Sequence, residues 1–382
     1  MDSDDHLSTT QKPNPLASPL AIRDLLVDGR GVLAPLAGVS DVPFRRICRE
    51  LGAALTYVEM LSATALCYGN RKTFAMLARH ESERQLGVQV TGRTAEEVAR
   101  AVSILDREGF DTIDLNMGCP VKKVVQAGCG SAILKDPQRV EATLQAARAA
   151  TSRPLSAKIR LGYTRETVNV ADISSLVARH ADMLTIHGRT RSESYEHGVD
   201  LEGISKGVQA ARAINPKVAV LSNGDVFAHS DAERHLTVTA SDGVMVSRGA
   251  LGNPWIFSSL RSGQEVFPSV CEWQEVVLRH IDYQREFFGD TPVAAVLMRK
   301  HLLWYSKGFA GSKKFREKLG QVSDLAEARA AIRDFALQIP ADSRRFDGKR
   351  HLTDATEQQS SDPKWEMDRT YDRGVGTEGL EA

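Results

Sequence analysis

The sharpest chemical feature of this 382-residue chain is Asn116-Met117-Gly118-Cys119-Pro120, which sets a thiol in a Gly/Pro turn directly after an apolar run. Lys122, Lys123, Arg160 and His187 could create a positive field there, and a thiol in such a field can act as a nucleophile or as a general acid. The plainer alternative is a small buried hydrophobe, the commoner fate of a free cysteine. Lys158 and Arg160 stand in and after a second apolar run, and His187-Gly188-Arg189-Thr190 follows a third. His187 alone would read as a hydrogen-bonded structural histidine; its setting at a run's end makes it a candidate ligand. Asn223-Gly224-Asp225 and Ser247-Arg248-Gly249-Ala250-Leu251-Gly252 supply glycines for close backbone approach, a guanidinium and a nearby helix start, the parts of a phosphate site. Either cluster by itself is an ordinary tight turn. Two cations and an amide converging on one space are costly without an anion, so an anionic cofactor is implied.

The elements that must position these groups are legible as short apolar runs: Gly31 to Leu36, Leu55 to Val58, Leu86 to Val90, Thr112 to Leu115, Leu155 to Ile159, Met183 to Ile186, Val218 to Leu221 and Gly243 to Val246. They are continuous more than alternating, as strands buried on both faces are, and most are separated by helical periodicity. Alternating βα units imply a parallel sheet. Thr94-Ala95-Glu96-Glu97 reads as a capping box for a helix ending near Gly109. Asp136-Pro137 starts another, and Asp41 with Pro43 starts a third that Gly52 could close. Eight strands make a (β/α)8 barrel, in the α/β class, the expected fold; the open doubly wound sheet is the alternative, but no G-x-G-x-x-G follows the first run. In a barrel the site is built at the C-terminal ends of the strands. There the chain places Ala37 and Gly38, then Glu59, Gln89, Asn116 with Cys119, Lys158 with Arg160, His187 with Arg189, Asn223 to Asp225, and Ser247 to Gly249. The seventh and eighth turns are where barrels often bind phosphate, and Lys158 suits the N1/O2 edge of a flavin, where a cation stabilises the reduced ring.

Lys+Arg and Asp+Glu both number 49, so no global field draws the chain to nucleic acid or membrane and any attraction must be local. No apolar stretch reaches the roughly 18 residues of a spanning helix. The acidic start Met1-Asp2-Ser3-Asp4-Asp5 lacks the features of a secretory signal. Cys48, Cys67, Cys119, Cys129 and Cys271 form an odd, widely spaced set with no C-x-x-C pair, arguing against a disulfide framework or a metal site. A cytoplasmic protein without membrane association is expected. Residues 1–19 and 341–382 are polar and read as disordered, 20–262 as the barrel, and 263–340 as a helical domain. From Arg299 to Lys318 there are seven cations, Arg299, Lys300, Lys307, Lys313, Lys314, Arg316 and Lys318, against the single acid Glu317, interleaved with Trp304, Tyr305, Phe309 and Phe315. That stretch is either a solvated helix face over core aromatics or a surface that tracks phosphates.

Ala34-Pro35-Leu36-Ala37-Gly38-Val39-Ser40-Asp41-Val42-Pro43-Phe44-Arg45, Asp114-Leu115-Asn116-Met117-Gly118-Cys119-Pro120, Lys158-Ile159-Arg160, Ile186-His187-Gly188-Arg189-Thr190, Asn223-Gly224-Asp225 and Arg248-Gly249-Ala250-Leu251-Gly252-Asn253-Pro254-Trp255 together resemble the tRNA-dihydrouridine synthases, the bacterial branch most closely. The likeness covers about residues 30 to 340. It implies an FMN-dependent barrel followed by a helical tRNA-binding domain, with NADPH or NADH as reductant and tRNA as substrate; no metal and a monomeric state are expected besides. On this pattern Pro35, Leu36, Ala37, Gln89, Lys158, His187, Asn223, Gly224, Asp225, Ser247 and Arg248 would hold FMN. Cys119 would donate a proton to C5 of the uracil while the flavin gives a hydride to C6. Asn116 and Arg160 would position the base, and Arg299, Lys300, Lys307, Lys313, Lys314 and Arg316 would contact the tRNA. Leu36 stands where the family usually has Met, and Ser247 where Gly is usual, which bears on FMN affinity and not on the chemistry. Two alternatives differ in consequence. A dihydroorotate-dehydrogenase-like barrel acting on a free pyrimidine would share the strand-end Lys, Asn and Cys but would not need the basic helical segment. An RNA-binding protein that has lost catalysis would not need Cys119, Lys158 and His187.

Overall fold

Strands buried on both faces close into a barrel only when each pairs with a neighbour, and the chain meets that condition. The computed structural model describes residues 14–309 and 312–345. After an antiparallel hairpin of β1 (Leu20–Ile22) and β2 (Leu25–Val27) come β3 (Gly31–Leu33), β4 (Thr56–Ser62), β5 (Leu86–Thr91), β6 (Thr112–Asn116), β7 (Leu155–Arg160), β8 (Met183–His187), β9 (Ala219–Asn223) and β10 (Gly243–Val246). The last eight form one parallel sheet in the order β3-β10-β9-β8-β7-β6-β5-β4. A parallel bridge between Val32 and Leu55 joins its two ends, with the Leu33 amide donating to Leu55 at 2.9 Å. The expected (β/α)8 architecture is therefore present. β5 is buried at every position, as are β8 and β9, which is why their sequences read as continuous apolar runs. β3 stops short of the expected run because Pro35 has no amide hydrogen to extend the ladder.

The helix signals act largely as read. Asp41 caps Val42–Glu50 by accepting from the Phe44 amide, Asp136 caps Pro137–Ala149, and Gly109 closes Ala95–Glu108 in the left-handed conformation. The Thr94 capping box is only half formed. Thr94 Oγ1 accepts from the Glu97 amide, but the Glu97 carboxylate turns back to the Arg93 amide, one residue earlier than the motif predicts.

The chain ends are corrected at their inner edges. Residues 14–19, read as part of a disordered segment, are folded: Leu16 is buried against Phe257 and Leu260, and the Asn14 amide donates to the Leu260 carbonyl at 2.8 Å. The isolated apolar side chain, invisible to a composition average, drives this. At the other end Arg345 is buried, its Nε donating to Lys307 O at 2.8 Å, so the fold runs past residue 341. The expectations for residues 1–13 and 346–382 lie outside the described residues. No sequence signal marks the β1–β2 hairpin. Its Leu20, Ile22 and Val27 pack on Met183, Ala219, Leu221 and Met245, near the starts of β8, β9 and β10, plugging the N-terminal mouth and leaving the C-terminal mouth for chemistry.

Beyond the barrel lie Val270–Phe288, Pro292–Tyr305, Ser312–Leu319 and Leu325–Ala336. Ser269 and Glu272 cap the first reciprocally. Trp273 is fully buried and donates its indole N–H to Tyr305 O at 2.9 Å. This helical segment docks on Val42–Glu50, where Phe44 packs on the rings of His280 and His301. Among the described residues no helix is long and apolar enough to cross a membrane.

Candidate active site

The turn after β6 is held from every side through its backbone. Asn116 Oδ1 accepts from the amides of Gly118 and Cys119 at 3.2 and 2.9 Å, an arrangement open to Asn because its short amide reaches its own backbone two and three residues on. The Cys119 carbonyl accepts from the amide and hydroxyl of Ser131 at 3.1 and 2.9 Å. Arg160, at the end of β7, donates from Nε to Gly118 O at 2.8 Å and from Nη1 to Thr190 O at 2.7 Å. Cys119 Sγ is thereby fixed among cations without being made a thiolate. Burial pushes its thiol above the ordinary value, and the Val121 amide, Arg160 and Lys158 pull back only in part. Of the two roles open to it from sequence, this environment suits the acid.

Register brings the other groups level. Asn116 pairs with Lys158 across β6 and β7, Arg160 with His187 across β7 and β8, and His187 with Asn223 across β8 and β9. Burial, then Arg160, bring Lys158 down to about 8, with Asp114 opposing. Burial and the three neighbouring cations hold His187 far below its ordinary value, so it is neutral. Asn223 Nδ2 donates to Met245 O at 2.7 Å, which turns its Oδ1 towards His187 Nδ1 at 3.0 Å. Nδ1 therefore carries the hydrogen, and the buried Nε2 is an acceptor with no partner.

At the seventh and eighth turns the backbone comes close because no Cβ intervenes. A Cβ on Gly224, whose φ is +120°, would meet Val199 at 2.9 Å and His187 at 3.1 Å, and one on Gly249 would lie 2.0 Å from Val226 O. Asp225, expected to hold a cofactor directly, is engaged by the protein: Arg189 Nη2 and Arg248 Nη2 both donate to it, the latter at 2.7 Å. It aims Arg248, whose buried Nη1 is left without a partner, beneath the Tyr195 ring 4.0 Å from the guanidinium carbon. An unpartnered guanidinium nitrogen, a bare imidazole nitrogen and two close-approach glycines form a cradle for an anionic group carrying hydroxyl or N–H donors.

The six cations expected to face RNA divide. Lys313 and Lys314 are exposed on Ser312–Leu319. Arg316 donates to Ser312 Oγ at 3.2 Å, and Lys307 is half-buried. Arg299 turns inward to Val322 O at 2.6 Å. Lys300 reaches across to the barrel and donates to the Gly38 carbonyl, while the Gly38 amide donates to Glu59 Oε2 at 2.6 Å. A charge count along the sequence cannot show which way a helix faces. Lys300→Met should therefore act on the fold, because it takes from the half-buried Asp41 and Glu59 carboxyls the cation that most favours their charged forms. Losing one charge-assisted hydrogen bond of about 1.5–3 kcal/mol lowers the thermal midpoint by several degrees. A midpoint equal to wild type by calorimetry would return Lys300 to the outer surface.

Sequence reasoning gave no role to Asp114, Glu59 or Tyr195. Asp114 is a buried acid and Glu59 a half-buried one, both within strands, where an acid is itself a signal; Tyr195 lies in a long loop after β8, which no periodicity marks.

The dihydrouridine synthase (Dus) family pattern matches residues 32–339. The chain is 35% identical over 309 residues to tRNA-dihydrouridine synthase B of Pasteurella multocida, covering 79% of this chain and 91% of that protein. It is 33% identical over 313 residues to tRNA-dihydrouridine synthase B of Pseudomonas syringae pv. tomato, covering 80% and 91%. Among solved structures, 6-hydroxypseudooxynicotine amine oxidase from Pseudomonas geniculata N1 superposes with a TM-score of 0.53 at 13% identity over 70% of this chain. Histamine dehydrogenase from Rhizobium sp. 4-9 does so with 0.51 at 10% over 85%. The chain spans 53% and 64% of those two longer proteins, a likeness of fold.

Proposed function

This chain belongs to the dihydrouridine synthase family, and from that premise we propose that it reduces the C5–C6 double bond of uridines in the D-loop of tRNA, with FMN as bound cofactor and NADPH or NADH as reductant. The reading includes a monomer acting in the cytoplasm, residues 20–262 as the catalytic part and 263–340 as the tRNA-binding part. The observation that carries it is the Cys119 turn: a thiol kept protonated by burial, fixed through its backbone by Asn116, and beside Lys158 and Arg160 at the barrel mouth.

The residues fit FMN. Arg248 Nη1 and the backbone at Gly224, Ser247 and Gly249 would take the phosphate. His187 Nε2 would accept a hydrogen bond, Asn223 and Asp225 would aim His187 and Arg248, and Pro35, Leu36, Ala37, Gln89 and Lys158 would border the ring. When bound, FMN supplies the hydride that adds to C6, and NAD(P)H restores it. Cys119 does the proton work: its S–H bond breaks as the C5–H bond forms on the opposite face, and the thiolate left behind regains a proton from water. Arg160, already charged and immobilised, offsets negative charge developing on the pyrimidine carbonyl oxygens, with Asn116 orienting the base. A stacked uridine cannot reach such a mouth, so the substrate base must be extruded.

The test is anaerobic. The purified protein is reduced with NADPH, unmodified tRNA is added, and the flavin's visible absorbance is followed. Its return with tRNA but not with free uridine or orotate is the expected result; a flavin that stays reduced would sink the reading. Exposed Lys313 and Lys314 are the cations best placed to contact RNA phosphates. Reversing both charges should weaken tRNA binding and reduce the slope of log affinity against log salt by about 1 to 2. An unchanged slope would make them a solvated face.

A further inference from the structure

Asp114 has no part in the chemistry above, yet it ends the hydrogen-bond chain on which the Cys119 turn hangs. It is fully buried in β6. Ser156 Oγ donates to its Oδ1 at 2.6 Å, and Gln89 Nε2 donates to its Oδ2 at 2.6 Å. Gln89 Oε1 accepts from Asn116 Nδ2 at 2.8 Å, and Asn116 Oδ1 accepts from the Gly118 and Cys119 amides. The chain has a direction. A carboxylate only accepts, so Gln89 must turn its NH2 towards Asp114 and its carbonyl towards Asn116. Asn116 must then turn its own NH2 to Gln89 and its carbonyl to the turn. The Gly118 and Cys119 amides set the same direction from the other end, so loss of the acid does not turn Asn116 over; it leaves the buried Gln89 NH2 with no acceptor, and a Gln89 that moves or flips to find one takes its carbonyl from the Asn116 NH2.

We propose that Asp114 is a positioning residue which, by anchoring Gln89 and through it the Asn116 side chain, holds the Cys119 turn in its closed geometry. This rests on the reading of Cys119 as proton donor. Burial raises the Asp114 carboxyl to about 6, with Ser156, Gln89 and Lys158 opposing, so it is ionised and accepting at neutral pH.

A merely structural acid would be equally sensitive to loss of either donor, and this separates the readings. In flavin-free protein, alkylation of Cys119 by iodoacetamide is followed by peptide mass spectrometry with Cys67 as internal reference. Asp114→Ala should alkylate Cys119 about tenfold faster, because a released thiol gains solvent and loses the burial that keeps it protonated. Ser156→Ala, which cuts the other bond to the same carboxylate, should stay at the wild-type rate. D114N should stay there too, since its carbonyl can accept from Gln89 while its amide donates to the Ser156 hydroxyl. Wild-type protection in Asp114→Ala, release in Ser156→Ala, or release in D114N would each overturn the proposal. If Asp114→Ala does not fold, Gln89→Met cuts the next link and must release the thiol in its place. In the loaded enzyme Asp114→Ala should slow reoxidation of the flavin by tRNA about 100-fold, and flavin reduction far less; equal losses in both would also overturn it. A wild-type flavin that tRNA never reoxidises would defeat the proposed function, while the alkylation rates would still decide the role of Asp114.

Discussion

Cys119→Ala is expected to take electrons from NADPH at close to the wild-type rate and to return them to tRNA about a thousandfold more slowly, the loss typical of removing a positioned general acid. The split is sharp because of how the turn is held. The hydrogen bonds to the Asn116 carbonyl and from the Ser131 amide and hydroxyl hold residue 119 by its backbone, and the thiol itself takes the Val121 amide. Truncation removes Sγ and its Val121 contact and leaves the three backbone bonds that hold the turn. A variant reoxidised at the wild-type rate would take Cys119 out of the proton-donor role. The pH dependence carries a second signature. Burial holds the thiol above its ordinary 9.0, and only the protonated thiol can donate. Reoxidation by tRNA should therefore hold level through neutral pH and fall as pH rises through that raised value. A nucleophilic thiolate would show the opposite slope, gaining as pH rises. Stopped-flow measurement of the oxidative step alone distinguishes the two.

The sequence exposed most of the barrel and, through it, the location of the site. The strands are rich in Val, Ile and Leu because both faces are covered, and the caps of the intervening helices are local signals of three or four residues. Eight runs with turn chemistry at their ends are hard to read otherwise. What stayed hidden was orientation. By type and position Asn116, Arg160 and Asp225 suggest ligand contacts, yet each spends polar atoms on the protein: Asn116 on the Cys119 turn, Arg160 on Gly118 and Thr190, Asp225 on Arg189 and Arg248. Residue type and strand-end position say that a polar group is near the mouth, not which of its atoms remain free. The same blindness hid Lys300, whose partner at Gly38 is 262 residues away. The β1–β2 hairpin escaped for another reason: three-residue strands beside a polar segment carry too few alternations to stand out, though burying Leu20, Ile22 and Val27 plugs the barrel.

Gly249→Ala should strip the protein of flavin. Gly249 lies in the single turn Arg248–Ala250, and an added Cβ would stand 2.0 Å from the carbonyl oxygen of Val226. That oxygen is backbone, next to Gly224-Asp225, so relief requires the seventh and eighth turns to move apart. Separation takes Arg248 from Asp225, the contact that aims its free Nη1, and withdraws the backbone amides from any phosphate between the turns. Losing about 3 kcal/mol of charge-assisted contact lowers FMN affinity by about 100-fold. Equilibrium titration of flavin-free protein with FMN, followed by flavin fluorescence, measures it directly. Gly198→Ala is the control, because a Cβ there meets nothing within 4 Å, and it should bind as wild type does. Far-ultraviolet dichroism separates a displaced turn from an unfolded barrel: an intact helical spectrum with weakened FMN binding is the expected pair. If Gly249→Ala bound FMN as tightly as wild type, the two glycine turns would be ordinary connections and the phosphate site would have to lie elsewhere on the mouth.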